Sequence, residues 1–312
     1  MKVLIFGSSG LVGTSLCRVL SKSIKVSNLI SATRKDADLL DLKSTQKFIE
    51  NVNPDLIIIA AAKVGGILAN NTYRTDFILD NLKINMNIFE SCIGKPHIRI
   101  INLGSSCIYP LGVENPIRES SFMSGVLEPT NSPYAMAKLS AIEIGRSLKQ
   151  EHGNDVVNLM PTNLYGPNDN FNLENSHVIP GLIHRLYNSK INGDKVFKIW
   201  GTGKPLREFL YVDDLSYFIE SIIDNKNLKY DLYNIGSGIE VTIYNLTKII
   251  KNIVGFNGDL QLDTDMPDGN PRKLLDSNRA ISTGWKPTIS LEMGIQKTYS
   301  WFLDNLNKNI RV

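Results

Sequence analysis

Lys2-Val3-Leu4-Ile5-Phe6-Gly7-Ser8-Ser9-Gly10-Leu11-Val12-Gly13 sets a short apolar run against a glycine turn. The run Lys2–Phe6 predicts a strand, and the amphipathic stretch Leu11–Ser21 predicts a helix. Glycines between them let the backbone approach a pyrophosphate, and the helix start offers N–H donors and the positive end of its dipole. Gly7, Ser8, Ser9, Gly10, Leu11, Val12 and Gly13 are therefore candidate cofactor contacts. A tight strand-to-helix turn without a ligand has the same glycines. The strand–turn–helix context favours the dinucleotide.

The pattern continues outward. Ser27–Ala32, Asp55–Ala61, Arg99–Leu103 and Val156–Met160 predict further strands, apolar throughout as in a sheet covered on both faces. Helical patterns lie between them at Ser44–Val52, Asp76–Cys92 and Tyr134–His152. Strands alternating with such helices predict an α/β fold, a Rossmann-type doubly wound parallel sheet. In the second half, strands are expected at Val196–Trp200, Glu208–Val212 and Asp231–Ile235. Helices are expected at His177–Asn188, Asp213–Asp224, Ile243–Val254 and Leu291–Leu306, and a turn-rich loop at residues 266–271. This arrangement predicts a dinucleotide-binding domain over residues 1–166, completed by about 209–238. A smaller, interleaved α/β substrate domain would take most of 167–312.

Composition narrows the function classes. With 42% hydrophobic and 21% charged residues, the chain is too apolar for disorder. Its 34 basic and 31 acidic residues leave +3, and the basic residues are scattered, so no nucleic-acid partner is expected. The longest uncharged apolar run, Leu56–Ala62, is far short of the roughly 20 residues of a membrane span. Lys2–Phe6 is too short for a signal-peptide core. Cys17, Cys92 and Cys107 lack metal-type spacing and suggest free thiols in a reducing cytosol; no metal is expected.

The end of the second strand bears on the cofactor. An NAD-binding unit usually carries Asp or Glu there, about 20 residues beyond the glycines. This chain has Thr33-Arg34-Lys35, and Arg34 suits a 2′-phosphate, which favours NADP(H). Asp38 and Leu39 would lie near the adenine. Farther on, Tyr134 and Lys138 are four residues apart and share a helix face. A nearby ammonium should lower the phenol from its ordinary value of about 10 and make Tyr134 a general acid. Ser105 follows the fourth strand, at the sheet end where ligands bind, and could polarise a carbonyl beside that tyrosine.

Glycine turn, serine and Tyr-x-x-x-Lys in this order resemble the extended short-chain dehydrogenase/reductase superfamily. Residues 61–67 (AAKVGGI), 104–110 (GSSCIYP), 128–131 (EPTN) and 161–167 (PTNLYGP) are similar to the GDP-L-fucose synthase family. So are residues 175–180 (NSHVIP), 207–210 (REFL) and 271–276 (PRKLLD), and the likeness spans nearly the whole chain. It implies a cytoplasmic homodimer that uses NADPH to epimerise C3 and C5, and reduce C4, of GDP-4-keto-6-deoxymannose. The dimer would form through helices near Leu82–Ile93 and Tyr134–Leu148. By this resemblance Cys107 and His177 are the acid–base pair of epimerisation, and Ser105, Tyr134 and Lys138 the reductase set. Ala61, Lys138, Pro161, Asn163, Leu164 and His177 would border the cofactor. Asn163, Arg185, Trp200, Arg207, Asp268 and Lys273 would border the GDP-sugar.

On the residues alone, Cys107 also reads as a small buried side chain and His177 as a structural histidine. Ser9 stands where some family members carry an arginine for NADP, and residues 111–126 and 168–174 diverge. Those departures leave room for a C4 reductase acting on a related GDP-4-keto sugar, such as a heptose or a dideoxy sugar. A redox-neutral NAD-dependent epimerase or dehydratase fits less well. Such dehydratases carry an Asp-Glu pair where this chain has Ser106-Cys107. A non-catalytic NADP sensor on the same fold is disfavoured by the intact Ser105, Tyr134 and Lys138.

Overall fold

The five apolar runs of the first half form β1 (Lys2–Phe6), β2 (Asn28–Ala32), β3 (Leu56–Ile59), β4 (Arg99–Leu103) and β5 (Val156–Pro161). Between them run α1 (Leu11–Leu20), α2 (Leu42–Val52), α3 (Ile67–Thr72), α4 (Arg74–Glu90) and α5 (Ser132–His152). The second half opens with β6 (Asn163–Tyr165), α6 (Val178–Asn192), β7 (Val196–Trp200), β8 (Leu206–Tyr211) and α7 (Val212–Ile222). It continues with β9 (Leu232–Ile235), β10 (Glu240–Thr242), α8 (Ile243–Val254), β11 (Asp259–Asp263), β12 (Arg272–Lys273), α9 (Asn278–Ile281) and α10 (Leu291–Asn305). This computed structural model describes residues 1–266, 268–306 and 308, and of Ile67 and Leu68 only the backbone. Pro267 of the turn-rich loop lies outside the described residues.

Six strands form one parallel sheet in the order β2-β1-β3-β4-β5-β9. The order reverses between β1 and β3, which opens a crevice at their carboxyl ends. Every residue of β3, β4 and β5 is buried, whereas the edge strand β2 exposes Asn28 and Ser31. One face is covered by Leu16 and Leu20 of α1 with Leu215, Phe218 and Ile219 of α7. The other is covered by Ile49, Ile88, Phe89, Ala141 and Leu148 of α2, α4 and α5. Truncating one such buried leucine or isoleucine to alanine typically costs about 2–5 kcal/mol.

Beside this sheet, β8 is flanked by antiparallel β10 and parallel β12 and also pairs with β6. A parallel pair, β7 with β11, lies nearby, and α6, α8 and α10 enclose Ile183, Leu186, Leu246, Ile250 and Phe302. The strand expected to reach Ala61 stops at Ile59, because the chain turns there to pass closely over Gly7. β6, β11 and β12 do not follow from hydrophobic pattern: they are short and mostly exposed or half-buried.

Candidate active site

Three glycines of the first turn have three different environments. Gly7 has φ +83°, and a Cβ there would lie 2.6 Å from Ala61 N. A Cβ on Gly13 would overlap the Gly7 carbonyl oxygen, so α1 packs directly on the turn. At Gly10 the nearest atom to a Cβ is 3.6 Å away, so that side of the turn is open. Ser8 ties the turn to the end of β2 through Oγ, which donates to Ala32 O at 2.9 Å. No side chain caps the start of α1. An open glycine face over an uncapped helix start fits a dinucleotide diphosphate.

Past β2, Asp36 accepts from the N–H and hydroxyl of Thr33 at 2.8 and 2.7 Å, which holds its carboxyl below the ordinary value. This turn presents Arg34 to solvent beside the crevice. Asp38 instead serves its own loop: its Oδ1 accepts from Leu40 N at 3.0 Å, and the Leu39 carbonyl accepts from Asn87 Nδ2 at 2.8 Å.

Ser105, Tyr134 and Lys138 come together at the carboxyl end of β4. Gly104 packs so closely on Met160 that a Cβ would overlap it, and the chain then turns into Ser105. Ser105 Oγ accepts from Cys107 N at 3.2 Å and hydrogen-bonds the Tyr134 hydroxyl. Pro133 opens α5, and Tyr134 and Lys138 share the face turned to β4. The buried Lys138 ammonium donates to Leu103 O at 2.8 Å and lies 5.8 Å from the centre of the Tyr134 ring. Burial pushes this amine down to about 8.

The expected lowering of Tyr134 is not observed. Desolvation and the adjacent Cys107 raise its phenol well above 10, against a smaller opposing effect of the Ser105 hydrogen bond. Desolvation is the largest effect on this phenol, and Tyr134 stays protonated. A protonated phenol is the form a general acid requires.

Cys107 is half-buried beside this set. Asn131 Nδ2 lies 3.7 Å from its sulfur and Lys273 Nζ 3.9 Å. Asn131 is held in turn by Glu128, whose carboxylate accepts its N–H at 3.1 Å and the Thr130 hydroxyl at 2.6 Å. Asn131 was not among the predicted site residues. Its signals were the 128–131 stretch that it ends and its place just before the Ser-Pro start of α5.

His177 precedes α6. Its loop is seated against the glycine loop after β3: Gly66 N donates to Asn175 O at 3.1 Å, and a Cβ on Gly66 would lie 2.9 Å from Ser176 O. A Cβ on neighbouring Gly65 would come within 3.2 Å of Phe77, whose ring meets Tyr134 edge-on at 6.5 Å. The residue is exposed at the surface, and desolvation by the neighbouring protein lowers its imidazole below the ordinary 6.5.

A family model described as "NAD dependent epimerase/dehydratase family" matches residues 3–236. The chain is 45% identical over 305 residues to GDP-L-fucose synthase 1 of Arabidopsis thaliana, covering 98% of this chain and 94% of that one. The chain belongs to the GDP-L-fucose synthases of this epimerase/dehydratase family. A GDP-L-fucose synthetase from Naegleria fowleri bound to NADP superposes with TM-score 0.88 at 30% identity, over 99% of this chain and 94% of that one. A GDP-6-OMe-4-keto-L-xylo-heptose reductase from C. jejuni superposes with TM-score 0.89 at 30% identity, over 97% of each chain.

The remaining predicted residues lie on the second-half side of the crevice. Arg185 stacks on Phe197 and Trp200 at 4.8 Å each, and its Nη2 donates to Lys198 O at 2.8 Å. Burial lowers this guanidinium, as it does that of Arg207. Trp200 exposes more than half its surface (56%), leaving a ring surface free for a ligand. Arg207 donates to the Leu206 and Asn270 carbonyls. Asp268 accepts from Thr202 N at 2.9 Å and Thr202 Oγ1 at 2.6 Å, so it ties its loop to the turn between β7 and β8. Asn163 Nδ2 donates to Glu208 O at 2.9 Å, Pro161 ends β5, and Leu164 packs against the core under α7.

Proposed function

We propose that this chain is an NADPH-dependent epimerase/reductase that converts GDP-4-keto-6-deoxymannose to GDP-L-fucose. The observation that carries the reading is the thiol of Cys107 beside Ser105 and Tyr134, with Lys273 Nζ 3.9 Å from its sulfur. Reduction alone needs the serine, tyrosine and lysine. A thiol at the same carbonyl adds a further proton-exchanging group.

The Gly7–Gly13 turn holds the cofactor diphosphate, Arg34 its 2′-phosphate and Lys138 its nicotinamide ribose. Ala61, Pro161, Asn163 and Leu164 border it. Bound NADPH supplies hydride to C4. A C4 ketone acidifies the protons on C3 and C5, and Cys107 and His177 remove and return them on opposite faces. Ser105 and Tyr134 hydrogen-bond the C4 oxygen and stabilise the enolate. Tyr134, kept protonated by desolvation, then gives its proton to the C4 alkoxide. Arg185, Arg207 and Lys273 meet the diphosphate of the GDP-sugar, and Trp200 offers it a flat apolar face.

The sheet and residues 1–166, completed by 209–238, form the cofactor domain in this reading; the rest of 167–312 forms the substrate domain. We place the enzyme in the cytoplasm as a homodimer. Support for the dimer is the apolar stripe on α4 and α5, where Leu79, Met86 and Met136 are nearly half exposed (47%, 46% and 47%). No helix among the described residues is long and apolar enough to cross a membrane. Size in solution, by light scattering, tests the dimer.

The test of function is product analysis by NMR with GDP-4-keto-6-deoxymannose and NADPH. One NADPH oxidised per GDP-L-fucose formed supports the reading. Turnover without net NADPH oxidation would instead indicate the redox-neutral epimerase. The likeness to the heptose reductase favours a second reading, C4 reduction alone on a related GDP-4-keto sugar, which reduction without epimerisation would reveal.

A further inference from the structure

Glu208 is wholly buried and takes no part in the chemistry above. Its carboxylate lies where the second-half segments meet the end of the parallel sheet. It accepts Gly238 N–H at 2.7 Å, on the turn between β9 and β10, and Leu275 N–H at 3.1 Å, two residues past β12. Its main-chain carbonyl accepts Thr162 Oγ1 at 3.2 Å and Asn163 Nδ2 at 2.9 Å. Gly236, the first residue after β9, packs so closely that a Cβ would overlap Glu208 Oε1. Burial raises the carboxyl above its ordinary value, and the surrounding N–H donors oppose this.

The Leu275 contact holds the segment that carries Lys273, two residues earlier. Arg207 is adjacent on β8, and Lys273 stands opposite Arg207 in the β8–β12 pairing. Asn163 is anchored on the Glu208 carbonyl itself. We propose that Glu208 is a positioning residue whose buried carboxylate sets Arg207 and Lys273 at the spacing that a nucleoside-diphosphate sugar requires, without touching it. The inference rests on the GDP-sugar reading of this site. A carboxylate serves because it only accepts. Glutamine would turn an NH2 toward one of the two main-chain donors and leave that donor unsatisfied.

The test titrates GDP and NADPH separately into the full-length enzyme by calorimetry, for wild type, Glu208→Gln and Glu208→Asp. It adds KM and kcat for the GDP-4-keto sugar. Glu208→Gln should weaken GDP and raise KM about tenfold. NADPH affinity and kcat should move less than about twofold, and Glu208→Asp should recover part of the loss. Amide exchange at Gly238 and Leu275 should quicken while that of β1 stays unchanged. Should Glu208→Gln not fold, Gly236→Ala, which displaces the carboxylate, should give the same split. Unchanged GDP binding, or equal weakening of GDP and NADPH, would overturn the proposal. A wild type that binds NADPH but not GDP would bring down the GDP-sugar reading itself, and this inference with it.

Discussion

The glycine turn after β1 and the substrate flank around β8 are built on opposite principles. The turn is made of backbone: Gly7 crosses Ala61, Gly13 crosses Gly7, and Gly10 is left open. Its seven residues are contiguous, so its geometry is local. The flank is made of side chains from distant segments. Lys273 reaches a thiol 166 positions earlier, and Glu208 bonds Leu275 67 positions later. A backbone-built site tolerates no added atom where the chain crosses itself, but it needs few particular side chains. A side-chain-built site depends on buried polar contacts that fix distant segments in register.

The largest effect is expected where the two regions meet. Tyr134→Phe keeps the ring against Phe77 but removes the acid, and turnover should fall by about 10²–10⁴ with NADPH affinity little changed. Steady-state kinetics with fluorescence titration of NADPH would show this, and unchanged turnover would sink the catalytic assignment. Within the turn, Gly13→Ala and Gly10→Ala should separate. Gly13→Ala collides with backbone and should cost about 1–3 kcal/mol of stability in chemical denaturation. Gly10→Ala meets nothing nearer than 3.6 Å, so it should leave the fold intact and weaken NADPH.

Arg34→Ala should weaken NADPH by about 1.5–3 kcal/mol, the value of hydrogen bonds to charged groups, and leave NADH binding nearly unchanged. Parallel titrations of the two cofactors would read that difference. The smallest effect is in pH. Lys138 is pushed down to about 8, so its ammonium is present below that pH and lost above it. NADPH affinity of the ligand-free enzyme should therefore decline as pH rises through about 8. A Lys138→Met variant should lack that step.

How much was legible follows the same division. Lys2–Phe6, the glycine turn and the Tyr134–Lys138 pair carry their meaning in spacing, and the observed β1, α1 and α5 follow it closely. β12 is two residues long and exists only as a pairing partner of β8, so no periodicity announces it. Asn131 and Glu208 act through tertiary contacts, and their residue types alone point to no task. Tyr134 shows the limit in energetics. The neighbouring lysine was visible in the sequence, but the desolvation that raises the phenol comes only with the packed fold.

The central claim is that one site both exchanges protons with C3 and C5 and reduces C4. The direct measurement is NMR of the product formed from GDP-4-keto-6-deoxymannose and NADPH in deuterated water. Deuterium should appear at C3 and C5, and Cys107→Ser should suppress that incorporation. Stoichiometric NADPH oxidation by the wild type, with no deuterium at either carbon, would contradict the account and leave a C4 reductase.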